Sequence, residues 1–147
     1  MIGERVVFIS HFERGFGLPA SNFFRQFLDK FHLQPHHLPP NVLVFLSAYA
    51  SFMEGYFGLW PSLDLWVVLH SLFPQSVQHS DEDPKPMVPV GAALVKARHG
   101  TEFFRVKGLG TVKKWLRGWF YVKNRDLEVD LINLPDYQAG PPRAKHT

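Results

Sequence analysis

From Ser21 onward the apolar residues Phe23, Phe24, Phe27, Leu28 and Phe31 recur every three or four positions, with Arg25, Gln26, Asp29 and Lys30 between them. That spacing predicts an amphipathic helix with a buried aromatic stripe, capped by the Ser21 hydroxyl. Ahead of it, Val6 to Phe12 is short, β-branched and aromatic, and ends in Glu13-Arg14-Gly15-Phe16-Gly17-Leu18-Pro19. It reads as a strand entering a turn. The segment His32 to Pro40 holds three prolines and three histidines and is read as a connector, because residues before proline are pushed away from helical geometry. Asn41 opens a second helix. From Val42 to Phe57 the apolar residues surround the axis, with Ser47, Ser51 and Glu54 the clearly polar exceptions, until Gly55 and Gly58 stop it. This is the expected central buried helix. A third helix starts at Ser62, carries Leu63, Trp66, Val67, His70 and Phe73, and ends at Pro74.

Gln75 to Pro89 has no apolar period, includes Ser80-Asp81-Glu82-Asp83 and predicts an exposed loop. Beyond it the pattern turns strand-like. Val88 to Arg98 and Phe103 to Lys107 read as a hairpin about His99-Gly100-Thr101, and Lys113 to Asn124 as a short helix followed by a strand. Asp126-Leu127-Glu128-Val129-Asp130-Leu131 alternates strictly, as a half-buried strand requires. With Asn124-Arg125 as a two-residue turn, Lys123 faces Asp126, Phe120 shares a face with Val129, and Tyr121 lies opposite Glu128. The expected architecture is α+β: a three-helix N-terminal half packed on a small, mainly antiparallel sheet. It forms a single domain over residues 1–134, helical at 19–74, looped at 75–87 and strand-rich at 88–132, with a disordered tail at 135–147.

Composition narrows the function classes. The 147 residues include 22 aromatics and 12 prolines but no cysteine, which excludes a simple coiled coil, an acidic disordered chain, a disulfide framework and a thiolate metal site. The longest uncharged stretch, Leu33 to Phe52, contains Pro35, Pro39 and Pro40 and makes a poor membrane span. Met1 is not followed by an apolar run of the signal-peptide kind, so an intracellular protein, cytoplasmic or nuclear, is expected.

The net charge of +3 hides an uneven distribution. Residues 1–104 carry seven basic and nine acidic side chains, residues 105–125 seven basic and none acidic, and residues 126–147 two basic and four acidic. In the basic block Arg105, Lys107, Lys113, Lys114, Arg117, Lys123 and Arg125 interleave with Trp115, Trp119 and Tyr121. Such a mixture can attract phosphates while stacking bases. The plainer reading makes the cations a solvated face, partly neutralised by Asp126, Glu128 and Asp130, and the tryptophans core.

Other constellations are weaker. Asp126, Glu128 and Asp130 on one strand face would stand about 6.6 Å apart, too far for three neighbours alone to clamp one cation. His32, His36 and His37 lack a fourth ligand at familiar spacing and fit an ordinary loop. Gly108-Leu109-Gly110-Thr111-Val112-Lys113-Lys114 lacks the spacing of a phosphate loop, and no G-x-S-x-G elbow occurs. No catalytic residue, metal ligand or cofactor is assigned. Glu54, in the most apolar helix, must reach water or a partner, and Arg14 in the glycine-rich turn is the candidate partner.

The stretch His11-Phe12-Glu13-Arg14-Gly15-Phe16-Gly17-Leu18-Pro19-Ala20-Ser21 resembles the opening motif of the plant gypsy-type transposon domain, found near the start of retrotransposon gag-like proteins. Two further blocks agree in order. Glu54-Gly55-Tyr56-Phe57-Gly58, followed by Pro61 and Leu65-Trp66, is similar to the family's glutamate-glycine-aromatic segment, and Trp115 to Asn124 to its W-x-x-x-W-F-Y-V-K-N block. The similarity spans residues 7 to 124. It implies an element-encoded protein, sometimes labelled transposase, with no catalytic residues to carry over. Because family members are usually longer, it also implies a truncated or degenerate copy.

The function expected is a non-enzymatic structural or interaction module of a gypsy-type retroelement. Its partners would be a second copy or the element's RNA or DNA, with no membrane and no small-molecule substrate. The alternative is a nucleic-acid-binding domain in its own right, with Lys113, Lys114, Arg117, Lys123 and Arg125 on phosphates and Trp119 or Tyr121 stacking on bases. A metal-dependent nuclease stands third.

Overall fold

The computed structural model describes residues 4–78, 87–100, 110, 112–125 and 129–137, with backbone alone at 75–78 and 87–91. Strand β1 (Glu4–Phe8) runs directly into a single helical turn, α1 (Ile9–Phe12). The strand expected to reach Phe12 therefore stops four residues early. Continued extension would have put Phe8 and His11 on opposite faces, whereas the turn brings their rings to 5.3 Å and leaves Ile9 largely exposed.

Helix α2 (Asn22–Phe31) follows the sequence pattern. The Ser21 hydroxyl accepts from the Phe24 N–H at 3.1 Å, Phe23, Phe24, Phe27 and Leu28 are buried, and Arg25 pairs with Asp29 on the outside at 3.0 Å. A 3-10 turn (Pro35–His37) occupies the connector, where the Gln34 N–H donates to His37 Nδ1 at 3.0 Å. Helix α3 (Pro40–Gly55) buries Val42, Leu43, Leu46, Tyr49 and Met53. The Tyr49 hydroxyl donates to the Ser62 carbonyl at 2.7 Å, tying α3 to the start of α4 (Leu63–Leu69).

Helix α4 is shorter than its periodicity suggests. Ser62 caps it, and Trp66 is fully buried edge-on to Phe27 at 5.2 Å. At His70 the chain becomes extended and enters β2 (His70–Gln78), antiparallel to β3 (Met87–Ala97). His70 and Phe73 fit a helical stripe after Trp66, but His70 and Leu72 are the buried positions, which is a period of two. Pro74, expected to stop a helix, sits where the β2–β3 register shifts, a place that tolerates a missing N–H. The expected loop at 75–89 is likewise narrower. Strand pairing persists to Gln78 and resumes at Met87.

The other ribbon joins the chain's two ends. Strand β4 (Trp119–Lys123) follows a 3-10 turn (Trp115–Arg117), as expected, but pairs antiparallel with β1, Val6 opposite Tyr121 and Phe8 opposite Trp119. Of its expected partner, Asp126 to Leu131, the described part, Val129 to Leu131, is not a strand. Residues 126–128 lie outside the described set; beyond them Val129 and Leu131 are half exposed, and the backbone bonds to side chains. The Asn124 amide donates to the Val129 carbonyl, and Asp130 Oδ1 accepts from the N–H groups of Ile132 and Asn133. Those bonds occupy groups that a ladder would need. They also hold the Asp130 pKa below its ordinary value. Ile132 and Leu134 enter the core instead, with the Ala20 N–H donating to the Ile132 carbonyl at 2.9 Å.

The fold is thus α+β, and among the described residues the strands form two separate two-stranded antiparallel ribbons in place of one sheet. Val7, the buried faces of α2 and α3, Trp66, Leu72, Ala93, Val95, Ile132 and Leu134 share one core cluster. Residues 135–137, expected to open a disordered tail, instead make contacts: Asp136 pairs with Arg5 at 2.6 Å and Tyr137 packs on His36. The predicted strand 103–107 and residues 138–147 lie outside the described residues.

Two features, a close backbone approach and a buried imidazole, fix the N-terminal region. Gly15 has φ +106°, and a Cβ there would stand 2.5 Å from the Ser47 hydroxyl oxygen and 2.9 Å from its Cβ on α3. His11 is fully buried, and its Nε2–H donates to the Leu38 carbonyl at 2.8 Å. Burial lowers the His11 pKa from 6.5 to about 4, outweighing the carbonyl that favours the cation. Burial lowers His70 in the same direction.

Gly15→Ala should cost about 2 kcal/mol or more, from backbone strain plus the clash with Ser47, read as a lower urea midpoint; an unchanged midpoint contradicts the close approach. Between pH 6.5 and 4 the unfolded chain binds a proton at His11 that the native state does not. Stability from this group should therefore fall as pH falls through that window, by about 3 kcal/mol in all. Urea titrations at pH 7 and 4.5 check this, and identical midpoints would refute it.

Candidate nucleic-acid interface

Alternation along β4 separates its side chains into two sets. Val122 packs against the core and Phe120 stacks on Phe12 at 5.8 Å, while Trp119, Tyr121 and Lys123 share the other face with Glu4, Val6 and Phe8 of β1. On that face Trp119 is 48% exposed and Tyr121 63%, with their rings edge to face at 5.1 Å. Trp115 behaves differently. It is half buried, stacked on His11 at 5.1 Å and edge-on to Phe8 at 5.1 Å. One tryptophan of the block thus anchors it, and the other is offered to solvent.

The cations surround this surface in sequence. Lys113 and Lys114 are exposed, and Lys114, in the left-handed region at φ +57°, caps the 3-10 turn that carries exposed Arg117. Lys123 and Arg125 are exposed at the far end of β4. Among the described residues none of these five side chains makes a hydrogen bond or ion pair, and Asp130, expected to neutralise some of them, is engaged by backbone N–H groups. Arg105 and Lys107 lie outside the described residues, as do Asp126 and Glu128.

The structure adds partners that sequence reasoning missed. Val6, Phe8, Leu116, Trp119 and Tyr121 line an open groove of about 680 Å³ together with Arg5, His36 and Tyr137. The His36 and Tyr137 rings are 5.3 Å apart. Arg5 donates to Asp136 at 2.6 Å and to the carbonyls of Glu4 and Leu134. The three come from distant parts of the chain, and no local pattern signals their meeting.

The remaining candidates do not assemble into a site. Among the described residues no three His, Asp or Glu side chains are placed to hold a metal ion. His37 is engaged by the Gln34 N–H, and His32 forms the left-handed C-cap of α2. The proposed Arg14–Glu54 pair is absent: α3 buries only part of its circumference, so Glu54 stands in water and needs no counterion, while Arg14 Nε is buried without a hydrogen-bond partner. Among the described residues no helix is long and apolar enough to cross a membrane.

Residues 6–74 match the family model described as "Putative gypsy type transposon". This segment belongs to the gypsy-type transposon family. No curated protein and no solved structure matches the chain. The gypsy-type segment takes in α1 to α4, the last three residues of β1 and the first five of β2, and ends before β3 and β4. The groove therefore straddles its boundary: Val6, Phe8 and His36 lie inside it, and Leu116, Trp119, Tyr121 and Tyr137 outside.

The two tryptophans of the block should respond differently to truncation. Trp115→Ala should cost about 3 kcal/mol through lost ring packing, and Trp119→Ala about 1 kcal/mol or less. Thermal or urea unfolding of the two variants checks this, and equal losses would contradict the assignment of one as anchor and the other as surface.

Proposed function

We propose that this chain is a non-enzymatic module of a gypsy-type, gag-like element protein that binds the element's RNA or DNA through the basic-aromatic surface of residues 113–125. The exposure of Trp119 and Tyr121 on one face with Lys123 carries this reading. Aromatic faces left in water beside cations that make no ion pair among the described residues suit a ligand with planar bases on a polyanionic backbone. Lys113, Lys114, Arg117, Lys123 and Arg125 supply phosphate contacts.

A second reading, self-association, draws on a different surface. At the end of α3, Phe52 and Tyr56 stack at 5.1 Å, Phe57 packs edge-on to both, and Trp60 just beyond is 88% exposed. This stretch contains the Glu54-Gly55-Tyr56-Phe57-Gly58 block. Concentration-dependent sedimentation without nucleic acid would support it.

Binding of a labelled 20-nucleotide single strand, followed by anisotropy across salt, tests the main proposal. Affinity should fall steeply from 50 to 200 mM salt. Lys113→Ala, Lys114→Ala and Lys123→Ala together should weaken binding tenfold or more and flatten the log–log slope by about 2, at about 0.7 per phosphate contact. A salt-independent affinity, or an unchanged slope in the triple variant, would reject it.

A further inference from the structure

The groove beside β4 has more structure than a phosphate-binding face requires. Two ring pairs line it, Trp119–Tyr121 from β4 and His36–Tyr137 from the connector and the C-terminal segment, together with the apolar side chains of Val6, Phe8 and Leu116 and the acidic Glu4. Its volume of about 680 Å³ falls within the roughly 300–1,000 Å³ of small-ligand sites. A bare electrostatic surface has no need of such a concavity. Aromatic walls with a polar guanidinium at the margin fit a flat, partly polar heterocycle.

Arg5 supplies that guanidinium. Its side chain is mostly buried, with Nη1 and Nε donating to the Glu4 and Leu134 carbonyls, so it is held in position. Its remaining partner, Asp136, is 86% exposed at the side chain, and an exposed ion pair is weakly held and exchangeable. A phosphate can replace that carboxylate on Nη2 with the same charge-assisted hydrogen bond.

We propose that this groove is a binding site for an unpaired nucleobase of a single strand, stacked on Trp119, Tyr121 or Tyr137, with the adjoining phosphate taken by Arg5 in place of Asp136. This rests on the nucleic-acid reading and narrows it to single-stranded ligands. In a duplex the base faces are already stacked on one another and cannot reach the rings of the groove, so the protein meets it through the exposed lysines and arginines on its phosphates. In a single strand the faces are free, and each base stacked on an aromatic ring gains about 5-fold or more in affinity.

The test compares three 20-nucleotide probes at one salt concentration with the full chain: a single strand, its duplex, and a strand of the same length carrying abasic sites throughout. The single strand should bind about tenfold or more tightly than either other probe. Trp119→Ala or Tyr137→Ala should remove most of that preference while leaving the weaker binding and its salt slope in place. Asp136→Asn should tighten single-strand binding by releasing Arg5. Equal affinity for all three probes overturns the base site and leaves phosphate binding standing. No binding of any probe overturns both. If Trp119→Ala unfolds, Tyr121→Ala, at a more exposed position, takes its place, and retention of the full preference in both Tyr121→Ala and Tyr137→Ala overturns the assignment.

Discussion

A buried neutral imidazole organises the N-terminal half of this protein and, through it, the surface proposed to bind nucleic acid. His11 stands on the short turn after β1, donates to the Leu38 carbonyl in the connector, and stacks on Trp115 ahead of β4. Three segments far apart in the chain meet at one ring. Phe8 and Phe16 pack edge-on to the same ring at 5.3 and 6.4 Å, so a charge there would have no water and one carbonyl for company. The same arrangement that makes His11 a poor base makes it a rigid spacer.

The position of β4 follows from this contact. Trp115, held by His11 and Phe8, sets where the 3-10 turn begins, and the Ile9 N–H bond to the Gly118 carbonyl at 2.9 Å fixes the approach of β4 to β1. Strand alternation does the rest. Once Val122 packs on the core and Phe120, itself 42% exposed, stacks on Phe12, Trp119 and Tyr121 fall on the opposite face of the strand, where they stand largely in water. The C-terminal segment completes the groove, since Ile132 and Leu134 are buried and carry Asp136 and Tyr137 to Arg5 and His36.

Local periodicity made the helical half legible. The stripe of α2 and its Ser21 cap, the extent of α3 and the start of α4 at Ser62 follow from spacing and capping alone. Errors arose where two periods fit the same residues. His70 and Phe73 continue the α4 stripe equally well on paper, and only pairing with β3 makes them a strand. Asp126 to Leu131 alternates as a strand does, yet Asn124 and Asp130 claim the local N–H and carbonyl groups, and β4 finds its partner about 115 residues upstream. The basic-aromatic block was visible as composition. Its division into an anchoring Trp115 and outward-facing Trp119 and Tyr121, and the contributions of Arg5, His36 and Tyr137, depend on that long-range pairing and could not be read locally.

The imidazole at the junction can be observed directly. With uniform ¹⁵N labelling, the ring nitrogens of His11 should report a neutral Nε2–H tautomer at pH 6 and titrate with a midpoint near 4. A ring that titrates at about 6.5, with both nitrogens averaged by solvent exchange, would mean that His11 is not sealed between Leu38 and Trp115, and the placement of β4 that depends on it would fall.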